Sequence, residues 1–367
     1  MKKFLIFTSI LALSALIAWW RLGTVNGATP PPPGQWEVLI REQIKLPMGY
    51  NLSIFAANLG QPRVMQMTPQ GDLLVSNYAG TVDLVQADRD GDGRSDGRAE
   101  LARGLNTPHG LLLEGNTVFV AEEHRVVKYD LDGATLSNPR VILEGIPEGG
   151  HASRTLNRGQ DGLLYLAVGS SCNSCIEDHP WRAAIIRFRE GGTPEIFAQG
   201  LRNTVGFDWR AGVMYGVDNG RDNMGDDVPD DEVNRIEAGK HYGWPYLHGS
   251  TVKDPGLFDS MPAGLAPTPQ FHGLGGHVAP LSILFLKNQP DVALVAEHGS
   301  WNRSKKSGYR IIRLVFDGES AREKIFMEGC EKDETVICRP VDTLEAPDGS
   351  LFVSDDYAGA IYRISKG

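Results

Sequence analysis

One outline written six times constrains this chain more than any other feature. A Gly turn, an apolar run, a polar loop and a second, alternating run recur in "GDLLVSNYAGTVDLV" (71–85), "GNTVFVAEEHRVVKYDLDG" (115–133) and "DGLLYLAVGSS…AAIIRF" (161–188). They return in "AGVMYGVDNG…DEVNRIEAG" (211–239), "DVALVAEHGSWNRSKKSGYRIIRL" (291–314) and "DGSLFVSDDYAGAIYRI" (348–364). The apolar strands begin near Leu73, Val118, Leu164, Met214, Ala293 and Leu351, so most spacings fall near 45–58 residues and one is 79. Short strands at such a period mark a β-propeller. A lone four-stranded blade cannot bury both faces, so blades stack around an axis and the ring closes. Closure makes the first and last blades neighbours, which accounts for the likeness of the chain's two ends. The sequence predicts an all-β, six-bladed β-propeller over residues 38–367, against which a β-sandwich would need six coincidental hairpins. The 43 Gly and 22 Pro suit a chain of many turns.

The first residues, "MKKFLIFTSILALSALIAWW", carry two lysines and then a mostly apolar run. Residues 1–27 read as an N-terminal hydrophobic signal peptide or membrane anchor helix, and the Pro-rich residues 28–37 as a stiff linker. Either way the body is expected outside the cytoplasm, in the periplasm or cell envelope, with membrane attachment if the segment is retained. Export permits disulfides. The four cysteines fall into two local pairs, Cys172/Cys175 and Cys330/Cys338. Loop staples are the simplest reading; a redox pair or metal half-site at Cys-x-x-Cys is the alternative. A net charge of −10 argues against a nucleic-acid partner.

The 79-residue gap holds a Gly-, Pro- and His-rich insertion beginning "GWPYLHGSTVKDPG". Loops of that length in a compact domain tend to be functional, and this one is expected to roof one end of the channel. The sharpest short motif is "DRDGDGRSD". Asp88, Asp90, Asp92 and Asp96, with Gly93 at the turn, can wrap one calcium ion. Ala99 stands where an EF-hand needs Glu, so a calcium-binding hairpin loop fits better, with a solvated acidic turn as the alternative. His109 in "NTPHGL", His151 in "EGGHASRTL", and Arg202 with Asn203 in "GLRNTVGF" precede successive inner strands. His298, Arg303, Lys305 and Lys306, then Arg339, lie in later blades. In a closed ring such loops converge, and basic groups around one channel suit an anionic small molecule. Scattered surface charge is the competing account. No nucleophile elbow, phosphate loop, dinucleotide fingerprint or His-Glu-x-x-His is present.

Taken together, "TPHGL", "GLRNTVGF", "DDEVNRIEAGKHYGWPY", "HGSWNRSKKSGY" and "APDGSLFVSDDYAGAIYRI" resemble the glucose/sorbosone dehydrogenase family, closest to its sorbosone-type branch. These are six-bladed propellers that use pyrroloquinoline quinone (PQQ) and calcium. The resemblance implies that His151 is the general base and that Arg202 stabilises negative charge at the quinone oxygens. Asn203 would lie beside Arg202 and His109 near the cofactor. Arg303 or Lys305, with Arg339, would hold the PQQ carboxylates, and the main-chain oxygens of Gly220 and Arg221 would bind calcium. Gly150 stands where the glucose enzymes have an acid, and Arg154-Thr155-Leu156 replaces their Gly-Arg-Leu. The implied activity is PQQ- and calcium-dependent oxidation of a sugar or aldose by hydride transfer, with an unidentified electron acceptor. The other readings are a non-catalytic propeller binding carbohydrate or protein, and a calcium-dependent lactonase-type hydrolase.

Overall fold

The protein is described by a computed structural model covering residues 34–367; the signal or anchor segment, 1–27, lies outside the described residues. Six four-stranded antiparallel sheets form the ring. The first blade is Pro62–Met67, Leu73–Asn77, Thr81–Val85 and Arg98–Arg103, and the second is Gly110–Glu114, Thr117–Ala121, Arg125–Asp132 and Thr135–Glu144. Leu156–Arg158, Leu164–Val168, Ala184–Phe188 and Glu195–Gln199 form the third, and Thr204–Arg210, Val213–Asp218, Asp231–Ile236 and His272–Gly275 the fourth. The fifth is Pro280–Leu286, Gln289–Glu297, Arg310–Asp317 and Ser320–Met327. In each, the first strand lines the central channel.

The sixth blade is composite. Pro340–Glu345, Leu351–Asp355 and Ala360–Lys366 supply three strands, and Tyr50–Ala56 adds the outermost one. Its register pairs Tyr50 with Lys366 and Leu52 with Ile364. The ring is therefore closed by main-chain hydrogen bonds between the start and the finish of the described chain.

Burial follows from the stacking. Second strands are covered on both faces by neighbouring blades, so all residues of Leu73–Asn77, Leu164–Val168 and Leu351–Asp355 are buried. Such strands read as continuous apolar runs. The outermost strand of the first blade, Arg98–Arg103, has no buried residue. The core is thus divided into wedges between adjacent blades. Leu74, Val82 and Leu84 pack on Leu111, Val118 and Val120 between the first and second, and Phe55, Phe352 and Ile361 pack on Met65, Leu73 and Val75 between the last and first. Polar stitches cross the same seams: Phe285 N–H donates to Asp208 Oδ2 at 2.8 Å, and Met65 N–H to Asp342 Oδ2 at 2.9 Å.

Three features differ from the sequence reading or sharpen it. A helix, Gln35–Gln43, begins inside the stretch read as linker and docks on the ring through Trp36 and Ile40, one turn apart on one face. Trp36 Nε1 donates to Ile337 O at 3.0 Å, beside the Cys330–Cys338 disulfide. Second, both disulfides join the local pairs, Cys172–Cys175 and Cys330–Cys338. Third, most of the insertion packs on the flank of the ring rather than over the channel. It leaves the third strand of the fourth blade, runs beside the outer strand of the third through a Gln199–His241 bridge, and carries a short hairpin, Leu247–His248 with Val252–Lys253. Only its last residues reach the mouth and the channel: His277 and Ala279 wall the pocket described below, and Leu281 and Ser282 line the channel cavity. Among the described residues no helix is long and apolar enough to cross a membrane.

Candidate active site at one end of the ring

Two kinds of connection emerge at the same end of a propeller: those between blades, and those between second and third strands. His151, Arg202 and Arg339 sit on the first kind; Asn219–Asp222, Trp301 and Asp356 sit on the second. A cavity of about 140 Å³ opens there, walled by His151, Arg202, Asn203, Asn219 and Gly220, then by Asp222, Asp231, His277, Ala279 and Trp301.

His151 is oriented by its neighbours. Its Nδ1 lies 3.0 Å from Ser170 O and 2.9 Å from Ser170 Oγ. The Ser170 hydroxyl donates onward to Cys172 O at 2.7 Å. A carbonyl only accepts, so Nδ1 carries the hydrogen and Nε2 keeps its lone pair. Burial, then the Arg202 charge, lowers the imidazole pKa to about 4, so it is neutral at pH 7. Arg154, fully buried, pins the supporting loop by donating to Glu123 O at 3.0 Å, Pro147 O at 2.8 Å and His151 O at 2.6 Å.

Arg202 is 5% exposed and fixed from three sides. Nε donates to Asn173 O at 3.0 Å, Nη1 to Asn219 O at 3.1 Å, and Nη2 to Asn173 Oδ1 at 3.0 Å and Asp222 Oδ2 at 2.9 Å. Asn203 holds its N–H to Asp218 Oδ1 at 3.1 Å, yet its side-chain Oδ1 is buried without a partner. Gly169 makes this crowding tolerable, since a Cβ there would stand 2.6 Å from both Asn203 Oδ1 and His151 Cβ. Asp231 accepts from Gly220 N–H at 2.6 Å and Ala279 N–H at 2.7 Å, and burial raises its pKa to about 6. His277 Nε2 donates to Gly225 O at 2.8 Å, and its pKa is raised by hydrogen bonding to Asp222. Trp301 is 57% exposed at the rim.

A second cluster closes the same end at the seam of the first and last blades. Asp356 accepts from Arg63 Nη1 at 2.6 Å and His298 Nε2 at 2.9 Å, and pairs with Arg339 Nη2 at 3.1 Å. Burial pushes its carboxyl up, but the opposing charges and hydrogen bonds of His298, Arg63 and Arg339 outweigh burial and hold it far below the usual range. The Arg63 guanidinium lies 4.4 Å over the Tyr78 ring, and Tyr78 Oη is 2.9 Å from Ser153 Oγ, which links this cluster to the His151 loop.

The structure thus brings His151, Arg202, Asn203 and Gly220 together in one pocket. His109 lies below them, 1% exposed, taking the Arg63 Nε hydrogen at 3.4 Å and donating to Thr155 Oγ1 at 3.1 Å. Arg303 is held by Asp226 O and by Asp227 Oδ1 at 2.7 Å, and Lys305 is exposed. Arg221 pairs with Asp254, which also binds His248 at 2.9 Å. The Asp88 loop is at the opposite end, between the third and fourth strands of the first blade. There Asp88, Asp90 and Asp96 converge, while Asp92 turns to the Arg94 N–H at 2.7 Å. Sequence reasoning did not single out Asn173, Asp222, His277, Trp301 or Asp356. Trp301 and Asp356 stand inside quoted repeats, but Asn173 and Asp222 carry no pattern of their own.

Fold and site together define a six-bladed β-propeller with a pocket at one mouth that holds a neutral imidazole and a buried guanidinium. The chain belongs to the TrAA12-like family, whose model matches residues 44–246 and 266–367. An uncharacterized protein of Borreliella burgdorferi is 30% identical over 355 residues, covering 89% of this chain and 91% of that one. The pyrroloquinoline quinone-dependent pyranose dehydrogenase of Coprinopsis cinerea is 24% identical, and the match covers 89% of this chain but only 55% of that longer protein. The holo form of its PQQ domain superposes with a TM-score of 0.76, at 21% identity, over 89% of this chain and 97% of that domain. A Trichoderma reesei protein of carbohydrate-active enzyme family AA12 superposes with a TM-score of 0.77, at 21% identity, covering 89% of this chain and 98% of its own.

Proposed function

We propose that this protein is a PQQ-dependent dehydrogenase that oxidises a sugar at an alcohol or hydrated aldehyde carbon. The observation that carries the reading is the His151–Arg202 pair: a neutral imidazole with a free Nε2 in the same pocket as a guanidinium clamped in place. The name of the Coprinopsis relative supports the class.

The residues present fit the cofactor. The Arg202 guanidinium, a donor fixed on the pocket wall with Asn203 beside it, suits a flat, oxygen-rich ligand. Arg202 and Asn203 would hold its quinone edge. Arg303 and Arg339 already face carboxylates, so they contribute background charge unless those pairs open. The Gly220 and Arg221 carbonyls, with Asp222 beside them, are hard oxygen donors suited to calcium.

Bound PQQ supplies the acceptor for two electrons. His151 Nε2 takes the proton of the substrate hydroxyl, while Ser170 keeps the ring aligned through Nδ1–H. Arg202 presents fixed positive charge to developing negative charge, and costs no reorganisation because its partners are already set. Trp301 offers an exposed aromatic face on which the apolar side of a sugar ring can rest. The electrons then leave to an external acceptor. The reading includes an extracytoplasmic location, in keeping with the two disulfides.

The test is to titrate the purified protein with PQQ and Ca²⁺, follow the quinone absorbance, and then add aldoses with an artificial acceptor dye. Saturable binding and dye reduction that is lost in His151→Ala, with PQQ still bound, is the expected result. No binding at micromolar PQQ refutes the reading.

A further inference from the structure

The Cys172–Cys175 disulfide closes a ring of four residues in the loop between the second and third strands of the third blade. Three of its members, Cys172, Asn173 and Ser174, reach groups around the site. Cys172 O accepts the Ser170 hydroxyl at 2.7 Å, and Ser170 in turn orients His151. Ser174 Oγ donates to Asp254 Oδ2 at 2.6 Å, the carboxylate that also holds Arg221 and His248.

Asn173 makes the most contacts. Its Oδ1 accepts from Arg202 Nη2 at 3.0 Å and from Asp222 N–H at 2.8 Å, and its Nδ2 donates to Asp222 O at 3.0 Å. Its main-chain carbonyl accepts from Arg202 Nε at 3.0 Å and from Trp244 Nε1 at 3.3 Å. Asn173 does not line the pocket.

We infer that Asn173, held by the Cys172–Cys175 ring, is a positioning residue that aims the Arg202 guanidinium into the active site, and that the closed disulfide is required for that aim. The inference rests on the dehydrogenase reading for its catalytic consequence, not for its geometry. Two of the four hydrogen bonds on Arg202 end on Asn173, through Nε and Nη2. Asn173→Ala removes the Nη2 bond and both side-chain bonds to Asp222 but keeps the main-chain carbonyl at Nε, so the guanidinium keeps that carbonyl, Asn219 O and Asp222 and stays buried and charged. What it loses is direction. An open four-residue loop would sample many conformers, whereas the cross-link confines it to few. Displacement of a catalytic group by about 1 Å can cost on the order of 100-fold in rate.

The experiment compares the full chain with Asn173→Ala, Asn173→Asp and Cys172→Ser/Cys175→Ser, each loaded with PQQ and Ca²⁺ and assayed on an aldose with a dye. In Asn173→Ala, kcat is expected to fall roughly 10- to 100-fold while KM changes less than about threefold. Asn173→Asp keeps the acceptor oxygen and should bring kcat to within about threefold of the parent. The double Cys variant should fall at least about threefold. A second readout needs no cofactor: the Arg202 Nε–H resonance, assigned by its loss in Arg202→Lys. Its acceptor is the Asn173 main-chain carbonyl, which the side-chain bonds to Asp222 and the disulfide hold in place, so its hydrogen exchange should quicken at least about tenfold in Asn173→Ala and in the double Cys variant, with Asn173→Asp as the folded control.

An Asn173→Ala enzyme within twofold of the parent overturns the inference, as does a fall in kcat with an unmoved arginine signal. If the parent neither binds PQQ nor reduces dye, the dehydrogenase reading has failed. The arginine signal then decides the positioning role alone: quickened exchange supports it, and unchanged exchange refutes it.

Discussion

Arg63 in the first blade donates to Asp356 in the last, Nη1 to Oδ2 at 2.6 Å across 293 positions of sequence. Both side chains are less than a tenth exposed. Asp356 also takes His298 and Arg339, so one carboxylate balances the basic groups at the closure seam. Removing a buried partner leaves uncompensated charge, which costs about 3–5 kcal/mol. Asp356→Ala should lose stability of that order, read as a lower urea midpoint at pH 7; a shift under about 1 kcal/mol would show that the seam does not depend on the cluster.

The pH dependence of turnover follows from His151. Its pKa is lowered to about 4, so the neutral base is fully present at pH 7 and is lost as pH falls through about 4, not through the ordinary value near 6.5. The acid limb of kcat/KM in the PQQ-loaded enzyme should therefore lie near pH 4–5. A limb at 6.5 would mean that another group is titrating.

Glu232 makes an opposite prediction for stability. It faces Asp218 across two strands, and burial, reinforced by that neighbouring carboxyl, raises its pKa to about 8. Asn234 Nδ2 donates to its Oε2 at 2.9 Å. A raised carboxyl pKa favours folding below the unfolded value, and that stability is lost as pH rises from about 4.5 through 8. Glu232→Gln keeps the acceptor and cannot ionise. Its stability advantage over the parent should be near zero at pH 4.5 and grow to on the order of 2–4 kcal/mol at pH 9. Parallel urea curves at both pH values check the trend.

The helix Gln35–Gln43 is expected to be integral to the ring rather than part of a tether. Trp36 is 4% exposed and packs with Tyr362 at a ring separation of 6.1 Å. Trp36→Ala should cost about 3–5 kcal/mol in thermal or urea unfolding.

The repeat legible in the sequence delivered the ring, because strand periodicity and Gly turns are local signals. His151, Arg202 and Asn203 were legible for the same reason, each standing just before an inner strand. What the repeat could not show was who neutralises whom. Arg303 and Arg339 are basic and well placed, but Asp227 and Asp356 meet them from other blades, and pairings that far apart leave no trace in spacing. Trp36 was hidden because an aromatic residue at the end of a Pro-rich run looks like spacer, and Ile40 because it falls where the repeat predicts only strands and turns. The insertion was legible as an oddity; that it meets Asn173 and Ser174 of the third blade through Trp244 and Asp254, and the pocket through His277 and Ala279, leaves no trace in spacing.

The strand Tyr50–Ala56 finds its partner only at Ala360–Lys366. During synthesis that strand must therefore wait, unpaired, until Ala360–Lys366 has been made. Deleting Ala360–Lys366 would strip partners from both Tyr50–Ala56 and Leu351–Asp355, so the opening would be a break in the whole ring and not the loss of one blade's rim.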